Sequence, residues 1–291
     1  MIVKDWLDIS SNKASKRALR KEVAYMHEMS QSDFAKLMEF LRSNFGIDLS
    51  KKKQLVEGRL FKPFCDSGFE SFSDYIDSML HGGEENIGQL LNRLTTNHSY
   101  FMRERSHFDF FRDTILPELE RRKKNKVLGI WSAGCSTGQE PYTLSMILKD
   151  YFSAKPGWDT RVLATDISQR AMGIARRGVY DTESVGSVPE QWKHRYMAES
   201  NGYYTISPVI RDNVIFRTFN LMDPINFKIK FDVIFCRNVM IYFDQPTKEA
   251  LVRRFYGATN GGGYLLVGHA ETLVKSSNPY KYVDVAAYVK R

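Results

Sequence analysis

A loop of small and polar residues follows a short apolar segment near the middle of the chain: Ser132-Ala133-Gly134-Cys135-Ser136-Thr137-Gly138-Gln139-Glu140-Pro141. Small residues let a backbone approach a ligand closely, and Pro141 suits the first turn of a helix. A second carboxylate, Asp166, ends the next apolar segment, where it can accept hydrogen bonds from both hydroxyls of a ribose. Taken alone, Asp166 also suits a helix cap.

Three classes of ligand compete for this loop. A phosphate-binding P-loop needs Gly-Lys-Ser/Thr at its end, but Gly138 is followed by Gln139. A dinucleotide fingerprint would place glycines where Ala133 and Cys135 stand, and a carboxylate such as Glu140 would repel a pyrophosphate. S-adenosylmethionine carries no phosphate but has a cationic amino group and a sulfonium. The loop therefore favours S-adenosylmethionine.

Two further apolar segments end in polar side chains. Asn220 and Leu221 follow one of them, where an amide and an apolar side chain suit an adenine ring. Arg237 and Asn238 follow Val233-Ile234-Phe235, a run typical of a central buried strand. A surface turn explains Arg237 and Asn238 less well, because the chain continues with apolar residues.

These groups converge only if the segments form one parallel sheet, whose strands present their carboxyl ends at the same edge. From Val127 onward, apolar strand-like segments alternate with helical ones, which predicts an α/β fold with a mostly parallel sheet. The last of these segments, Tyr282–Val289, is expected to be a single strand. The preceding hundred residues predict helices, with Ser32, Ser50, Ser73 and Ser106 as N-caps.

The predicted domain organisation has four parts. They are an N-terminal extension (1–28), a helical N-terminal domain (29–95), a linker with a long helix (96–125), and a catalytic domain (126–291) with a β-subdomain at about 185–215. The extension suggests no role beyond a basic helix.

Composition excludes several classes of protein. No stretch of 18 apolar residues occurs, and the first residues lack the apolar core of a secretion signal. The three cysteines are far apart, so we expect neither disulfides nor a structural metal site. We expect a cytoplasmic location. The formal net charge of +8 favours acidic partners, although solvated helix faces explain it equally well.

Five motifs, in order, resemble the chemoreceptor glutamate methyltransferase (CheR) family. They are Leu94–Glu104, Ser132–Tyr142, Ala164–Ser168, Phe235–Phe243 and Gly268–Glu271. The resemblance covers the chain from about Ser30. It implies a class I S-adenosylmethionine-dependent methyltransferase (Rossmann-like) sheet with a small all-helical N-terminal domain and a small β-subdomain insert. It also implies methyl transfer from S-adenosylmethionine to receptor glutamates, giving methyl esters and S-adenosylhomocysteine in sensory adaptation.

The same resemblance implies a set of functional residues. For the cofactor they are Asn97, Ser99, Arg103, Gly134, Glu140, Asp166, Asn220, Leu221, Asn238 and Val239. Family members usually have threonine where Ser99 stands, and serine retains the hydroxyl. Arg103 and Tyr242 match the positions that face the transferred methyl group. An ion pair with Glu104 or a neighbour is the alternative for Arg103.

The resemblance also bears on partners. The helical domain is expected to engage the Glu-rich helices of receptors through a basic cluster, formed by Lys51, Lys52, Lys53, Arg59 and Lys62. Some members grip a receptor's C-terminal pentapeptide with a glycine-rich insert in the β-subdomain. Residues 196–203 are too short for that insert and lack its Gly-x-Gly, so we expect no pentapeptide tether.

Two other functions stay open at this stage. A nucleic-acid methyltransferase would suit the basic charge, but the chain has Asn238-Val239-Met240 where amino-directed DNA methyltransferases have a Pro-Pro-aromatic turn. A catalytically silent signalling scaffold is the other alternative. The retained Arg103 and Tyr242 argue against it.

Overall fold

A computed structural model describes residues 29–95, 99–274 and 276–291 of the chain. The N-terminal extension predicted at 1–28 lies outside the described residues. The chain divides into two compact units. The described residues up to Phe40 and Leu49–Leu94 form the smaller unit, and Leu41–Asp48 group with Thr95–Arg291 in the larger one.

The smaller unit is helical, as the sequence predicts. Its helices are α1 (Gln31–Phe45, whose last turn belongs to the larger unit), α2 (Lys53–Ser67), α3 (Phe72–His81) and α4 (Gly83–Leu94). Apolar side chains at helical spacing form its core, and the rings of Phe64 and Phe72 lie 4.8 Å apart. Arg59 donates a hydrogen bond to the carbonyl of Leu94.

The predicted N-caps Ser32, Ser50 and Ser73 are wrong. The hydroxyl of Ser30 accepts a hydrogen bond from the backbone N–H of Asp33, and Ser71 does the same for Asp74. Each of these serines is followed three residues later by an aspartate whose carboxylate bonds its hydroxyl in return. This reciprocal capping pattern was present in the sequence and was overlooked. No side chain caps α2, which begins after Lys52.

The larger unit contains a seven-stranded sheet. Its strands are β1 (Ile130–Ala133), β2 (Val162–Asp166), β6 (Val214–Thr218), β7 (Phe231–Cys236), β8 (Thr259–Val267), β9 (Lys281–Asp284) and β10 (Ala287–Val289). The strand order is β6-β2-β1-β7-β8-β10-β9, and the first five strands in this order are parallel. The order reverses between β1 and β7, which is where such sheets bind ligands.

A second, three-stranded sheet lies between β2 and β6 in the chain. It consists of β3 (Val179–Asp181), β4 (Met197–Ser200) and β5 (Tyr203–Ile206) in the order β3-β5-β4. Its strands fall within 179–206, whereas the sequence placed a β-subdomain at about 185–215. Asn201 and Gly202 join β4 to β5 with positive φ angles of 51° and 75°, the backbone of a two-residue hairpin turn.

Helices cover both faces of the large sheet. They are α5 (Arg105–Phe110), α6 (Leu116–Arg122), α7 (Gln139–Tyr151), α8 (Gln169–Arg177), α9 (Glu190–Tyr196), α10 (Pro208–Arg211) and α11 (Gln245–Ala258), with a π-helical segment at Phe111–Ile115 and a 3-10 turn at Met240–Tyr242. Ser106 is not an N-cap, because α5 already begins at Arg105. The predicted single strand Tyr282–Val289 is a hairpin, in which β9 and β10 pair antiparallel around Ala286.

Buried aromatic side chains hold the sheet and its helices together. Trp131 of β1 is fully buried, with its ring 5.2 Å from Phe227 and 5.4 Å from Phe255, and its indole N–H donates to Thr165. Asp232 is a buried carboxylate at the start of β7, and it is satisfied by Lys123 and by a backbone N–H. In the described part of the chain, no helix is long and apolar enough to cross a bilayer.

Candidate methyl-transfer site

A cavity of the larger unit opens at the carboxyl ends of β1, β2 and β7. Its wall combines apolar side chains with a few polar and charged ones, as the walls of small-molecule sites do. Ten of the residues predicted from the sequence line it: Ser99, Arg103, Gly134, Glu140, Asp166, Asn220, Leu221, Asn238, Val239 and Tyr242. Asn97 lies outside the described residues.

The first strand-to-helix loop and the end of β2 are tied together. Asp166 accepts hydrogen bonds from the backbone N–H groups of Ser136 and Ser168, each at 2.8 Å. Burial raises the pKa of Asp166, and these backbone donors act in the opposite direction. Because burial disfavours the charged form of this carboxylate, further hydrogen-bond donors, such as ribose hydroxyls, would stabilise it.

Gly134 lets the loop pass against the residue that follows β7. Its φ angle is +90°, and a Cβ at this position would lie 2.2 Å from Cγ2 of Val239. Both residues line the cavity. The close approach therefore shapes the cavity wall, and a glycine is required there.

Glu140 and Arg237 form a buried ion pair. Nη1 of Arg237 lies 2.9 Å from Oε2 of Glu140, whose other oxygen accepts a hydrogen bond from Ser132 at 2.7 Å. Arg237 also donates to the backbone carbonyl of Arg103 and lies 3.2 Å from the carboxylate of Glu104. The arginine therefore ties α7 and the segment before α5 to the end of β7.

The alternative for Arg103 is an ion pair with Glu104 or a neighbour. The carboxylate of Glu104 pairs with Arg237 and accepts a hydrogen bond from the amide of Asn238 at 3.2 Å. Burial alone would raise the pKa of Glu104, but the charge of Arg237 and its hydrogen bonds hold it below the ordinary value. The guanidinium of Arg103 lies 5.9 Å from the ring of Tyr100 and lines the cavity.

The Asn220-Leu221 segment is held from two sides. The amide of Asn220 donates to the carbonyl of Asn44 and accepts from the N–H of Met222, so much of its hydrogen-bonding capacity is used within the protein. Arg254 of α11 donates to the carbonyls of Leu221 and Met222 at 2.7 and 2.6 Å. Arg254 was not predicted from the sequence, since a helical arginine gives no local signal of this contact.

Glu271 is a second residue whose role the sequence analysis missed, although the Gly268–Glu271 motif was recognised. It is buried and accepts hydrogen bonds from the backbone N–H groups of Asn238, Ile241 and Gly268 at 2.7, 3.0 and 2.6 Å. Burial raises its pKa and these backbone donors lower it. Glu271 thereby fixes the turn that carries Asn238 and Tyr242 into the cavity.

The acceptor groups and apolar side chains around this cavity fit S-adenosylmethionine. Its wall carries the carboxylates of Glu140 and Asp166 on turns that have no lysine, an arrangement that suits a cationic amino group and ribose hydroxyls rather than phosphates. Apolar side chains, including Leu221 and Val239, provide surface for an adenine ring.

Comparison with known families agrees with this chemistry. Residues 97–289 match the model of the CheR methyltransferase, SAM binding domain, and residues 32–95 match that of the CheR methyltransferase, all-alpha domain. The chain belongs to the CheR methyltransferase family. The predicted family, fold class, enzyme class and cofactor, S-adenosylmethionine, are confirmed.

Proteins that match most of this chain are named chemotaxis protein methyltransferases. A chemotaxis protein methyltransferase of Borreliella burgdorferi is 38% identical over 90% of this chain and 95% of its own length. A probable chemotaxis protein methyltransferase of Rhizobium etli is 36% identical over 79% and 88%. Chemotaxis protein methyltransferase 1 of Pseudomonas aeruginosa is 34% identical over 87% and 94%. The similarity therefore extends through both family domains.

Proposed function

We propose that this protein methylates glutamate side chains in the cytoplasmic helices of chemoreceptors, giving glutamate methyl esters and S-adenosylhomocysteine during chemotactic adaptation. The observation that carries the proposal is the convergence of Arg103 and Tyr242 with the carboxylates Glu140 and Asp166 in one cavity. The same cavity thus offers groups for a cationic cofactor and for an anionic substrate. The absence of disulfides among the three cysteines agrees with a cytoplasmic reaction.

The substrate needs little acid-base catalysis. A glutamate side chain has an unperturbed pKa of about 4.3, so it is already an anionic nucleophile near neutral pH. S-adenosylmethionine, when bound, supplies an electrophilic methyl group. The task left to the protein is to orient and dehydrate the carboxylate, which contributes about 7–11 kcal/mol to a well-aligned reaction.

We assign the incoming carboxylate to Arg103. Its side chain lines the same cavity as Tyr242, and the resemblance to the family places this position beside the transferred methyl group. Arg103 therefore provides the positive charge that complements a substrate glutamate. Tyr242, at the end of the turn fixed by Glu271, orients the carboxylate or the methyl group.

Replacing Arg103 by methionine and Tyr242 by phenylalanine tests these roles. We expect each variant to keep measurable cofactor binding by calorimetry and to lose about 100-fold in methyl transfer, since misplacing a reacting group has this order of effect. Full turnover by Arg103→Met with unchanged cofactor affinity would refute its role.

The chemistry of the product distinguishes the proposal from its alternatives. With tritiated S-adenosylmethionine and a receptor cytoplasmic fragment, we expect protein-bound label that is released by mild alkali, because esters hydrolyse there. Alkali-stable label on nucleic acid would indicate the nucleic-acid methyltransferase. Cofactor binding with no transfer to any receptor fragment would indicate the scaffold.

The basic cluster on the smaller unit is our proposed receptor contact. Within it, Lys53 lies 3.5 Å from Glu57 and Lys62 lies 2.6 Å from Asp66, so these charges are partly neutralised. Lys51 and Lys52 are exposed, and Leu55 adds an exposed apolar side chain beside them. We therefore expect the two lysines to contribute most to the attraction of acidic receptor helices.

Charge reversal tests this surface. The Lys51→Glu/Lys52→Glu variant should raise the KM for receptor, with a wild-type kcat and a weaker dependence on salt, because surface attraction is screened by ions. Arg121→Glu/Lys124→Glu introduces the same change of net charge at exposed residues of the larger unit. Equal effects of the two double variants would contradict a specific docking role.

We also propose that receptors are methylated without a pentapeptide tether. The two-residue turn at Asn201-Gly202 supports this, because it leaves no room for a glycine-rich insert between β4 and β5. Calorimetric titration with a free receptor pentapeptide should show no binding. Saturable heat would contradict this part of the proposal.

A further inference from the structure

Three potential metal-binding side chains meet beside the cavity: Glu104, His107 and His269, here called the His–Glu cluster. Each offers one ligand atom, and these atoms all lie within 4.8 Å of one another. Glu104 precedes α5, His107 lies on its first turn, and His269 follows β8. The cluster is separate from the ten predicted cavity residues that the structure describes.

The imidazole of His107 is buried and only half satisfied. Its Nε2 lies 3.0 Å from the carbonyl oxygen of Val285, which can only accept, so Nε2 carries the ring proton. Nδ1 of the neutral ring then has a lone pair, and it has no hydrogen-bond partner. This side chain is 2% exposed, and its Nδ1 lies 3.5 Å from Oε2 of Glu104.

The unpartnered Nδ1 lone pair thus faces a carboxylate oxygen that already accepts from Arg237 and from the backbone N–H of His269, and a cation between Nδ1 and Oε2 would satisfy the imidazole. Two ligands of a tetrahedral zinc ion are separated by roughly 3.4 Å, given zinc–ligand distances of about 2.0–2.2 Å. The observed 3.5 Å between Nδ1 and Oε2 matches that spacing.

The surroundings of both imidazoles resemble those of metal ligands. A ligating histidine usually donates its other N–H to a carbonyl or another acceptor, as His107 does to Val285. Nε2 of His269 lies 3.3 Å from the hydroxyl of Ser106, which leaves its Nδ1 available for a cation. His269 is exposed, so its ring can rotate to complete the site.

We propose that the His–Glu cluster binds a divalent transition-metal ion of the zinc class, with Glu104, His107 and His269 as ligands. This site is additional to the proposed methyl transfer and does not depend on it. Water completes the coordination on the exposed side of His269.

Binding of the ion competes with Arg237. The guanidinium of Arg237 lies 3.2 Å from Oε2 of Glu104, the same oxygen that faces His107. A divalent ion there repels the guanidinium, which keeps its bonds to Glu140 and to the carbonyl of Arg103. Because Arg237 and Asn238 both contact Glu104 and line the cavity, metal binding weakens cofactor binding.

Cobalt(II) titration of the full-length protein tests the site, since a tetrahedral cobalt centre absorbs visible light and zinc displaces it. We expect the wild type to show a saturable visible band. In His269→Ala we expect the cobalt affinity to fall by about tenfold or more. His194→Ala, another exposed histidine, is the matched control and should bind cobalt as the wild type does. No band, or equal affinities in all three proteins, would overturn the proposal.

Glu104→Gln provides a second variant, in which both histidines are retained. It removes the carboxylate charge, so we expect the cobalt band to be lost while circular dichroism shows a folded protein. Retention of the band in folded Glu104→Gln would exclude Glu104 as a ligand and overturn the site as proposed.

Calorimetry measures the competition directly. S-adenosylhomocysteine should bind several-fold more weakly in zinc than in chelator, and zinc should bind more weakly, by the same factor, when S-adenosylhomocysteine is present. His269→Ala should abolish the difference. Zinc binding with no effect on S-adenosylhomocysteine would refute the competition with Arg237.

Discussion

Arg237 and Glu140 form an ion pair inside the protein, with 2.9 Å between Nη1 and Oε2 and 2% of the arginine side chain exposed. Such a pair contributes little net stability compared with apolar side chains, but removing one partner strands a buried charge. In this protein the pair joins a carboxylate that lines the cavity to the end of the central strand β7. The main role of the Arg237–Glu140 pair is therefore to hold Glu140 in place at the end of β7.

The first prediction concerns this pair. Arg237→Met should destabilise the protein by about 3–5 kcal/mol, because Glu140 and Glu104 both lose their cationic partner. Adding Glu140→Gln should restore part of that stability but not cofactor affinity. Chemical denaturation and calorimetry measure the two quantities. Full additivity of the two substitutions in stability would mean that the pair is not coupled.

The second prediction concerns the first loop. Gly134→Ala combines an unfavourable φ with a Cβ that would lie 2.2 Å from Val239, so this side chain must move. We expect cofactor affinity to fall by about tenfold or more, an energy of about 1.4 kcal/mol. Gly257→Ala in α11 meets no atom within 4 Å and should instead stabilise the protein by about 0.5–1 kcal/mol. Unchanged affinity in Gly134→Ala would contradict the assigned cavity wall.

The third prediction concerns Arg254, which holds the Leu221-Met222 carbonyls. Arg254→Met should raise the dissociation constant of the cofactor about tenfold, since the loss of these charge-assisted hydrogen bonds releases the Leu221-Met222 segment of the cavity wall. The neighbouring Arg253 is exposed, and its Nη1 is 3.9 Å from Glu249. Arg253→Met should therefore leave affinity unchanged. Equal losses in both variants would point to a general effect on α11.

The fourth prediction concerns pH. Burial raises the folded-state pKa of Asp166 above its ordinary 3.8, so the folded protein holds this proton at pH values where the unfolded chain has lost it. Stability from this group is then present below about pH 3.8 and is lost as pH rises through the folded pKa. Relative to Asp166→Asn, the cofactor-free wild type should lose unfolding free energy as pH rises from 4 toward neutrality. A pH-independent difference between the two proteins would contradict the raised pKa.

Much of the candidate site could be predicted because its residues follow apolar runs. Asp166 ends a segment recognisable as a strand, and Asn238 and the loop that leads to Glu140 follow two others; a parallel sheet brings the ends of such strands to one edge. The run Val233-Ile234-Phe235, typical of a central buried strand, lies within β7, all of whose residues are buried. These features depend on local pattern and on a general rule of sheet geometry.

The supporting residues could not be predicted in this way. Arg254 and Glu271 act on backbone groups of segments distant in sequence, and which carbonyl or N–H lies nearby is determined by packing. The hairpin at the C-terminus was mistaken for one strand, because Val285 and Ala286 are apolar and mask the turn. The role of Arg237 emerges only when Glu104 and Glu140 are seen on either side of it.

The neighbours of β1 have a consequence for how the protein is made. β1 pairs with β2 on one edge and with β7 on the other, although β7 comes much later in the chain. At roughly 5–20 residues per second, a ribosome leaves one edge of β1 uncovered for several seconds before Phe231–Cys236 emerges. The nascent chain is therefore prone to aggregation during that interval, and a truncation ending before Phe231 should need chaperones rather than yield a smaller soluble enzyme.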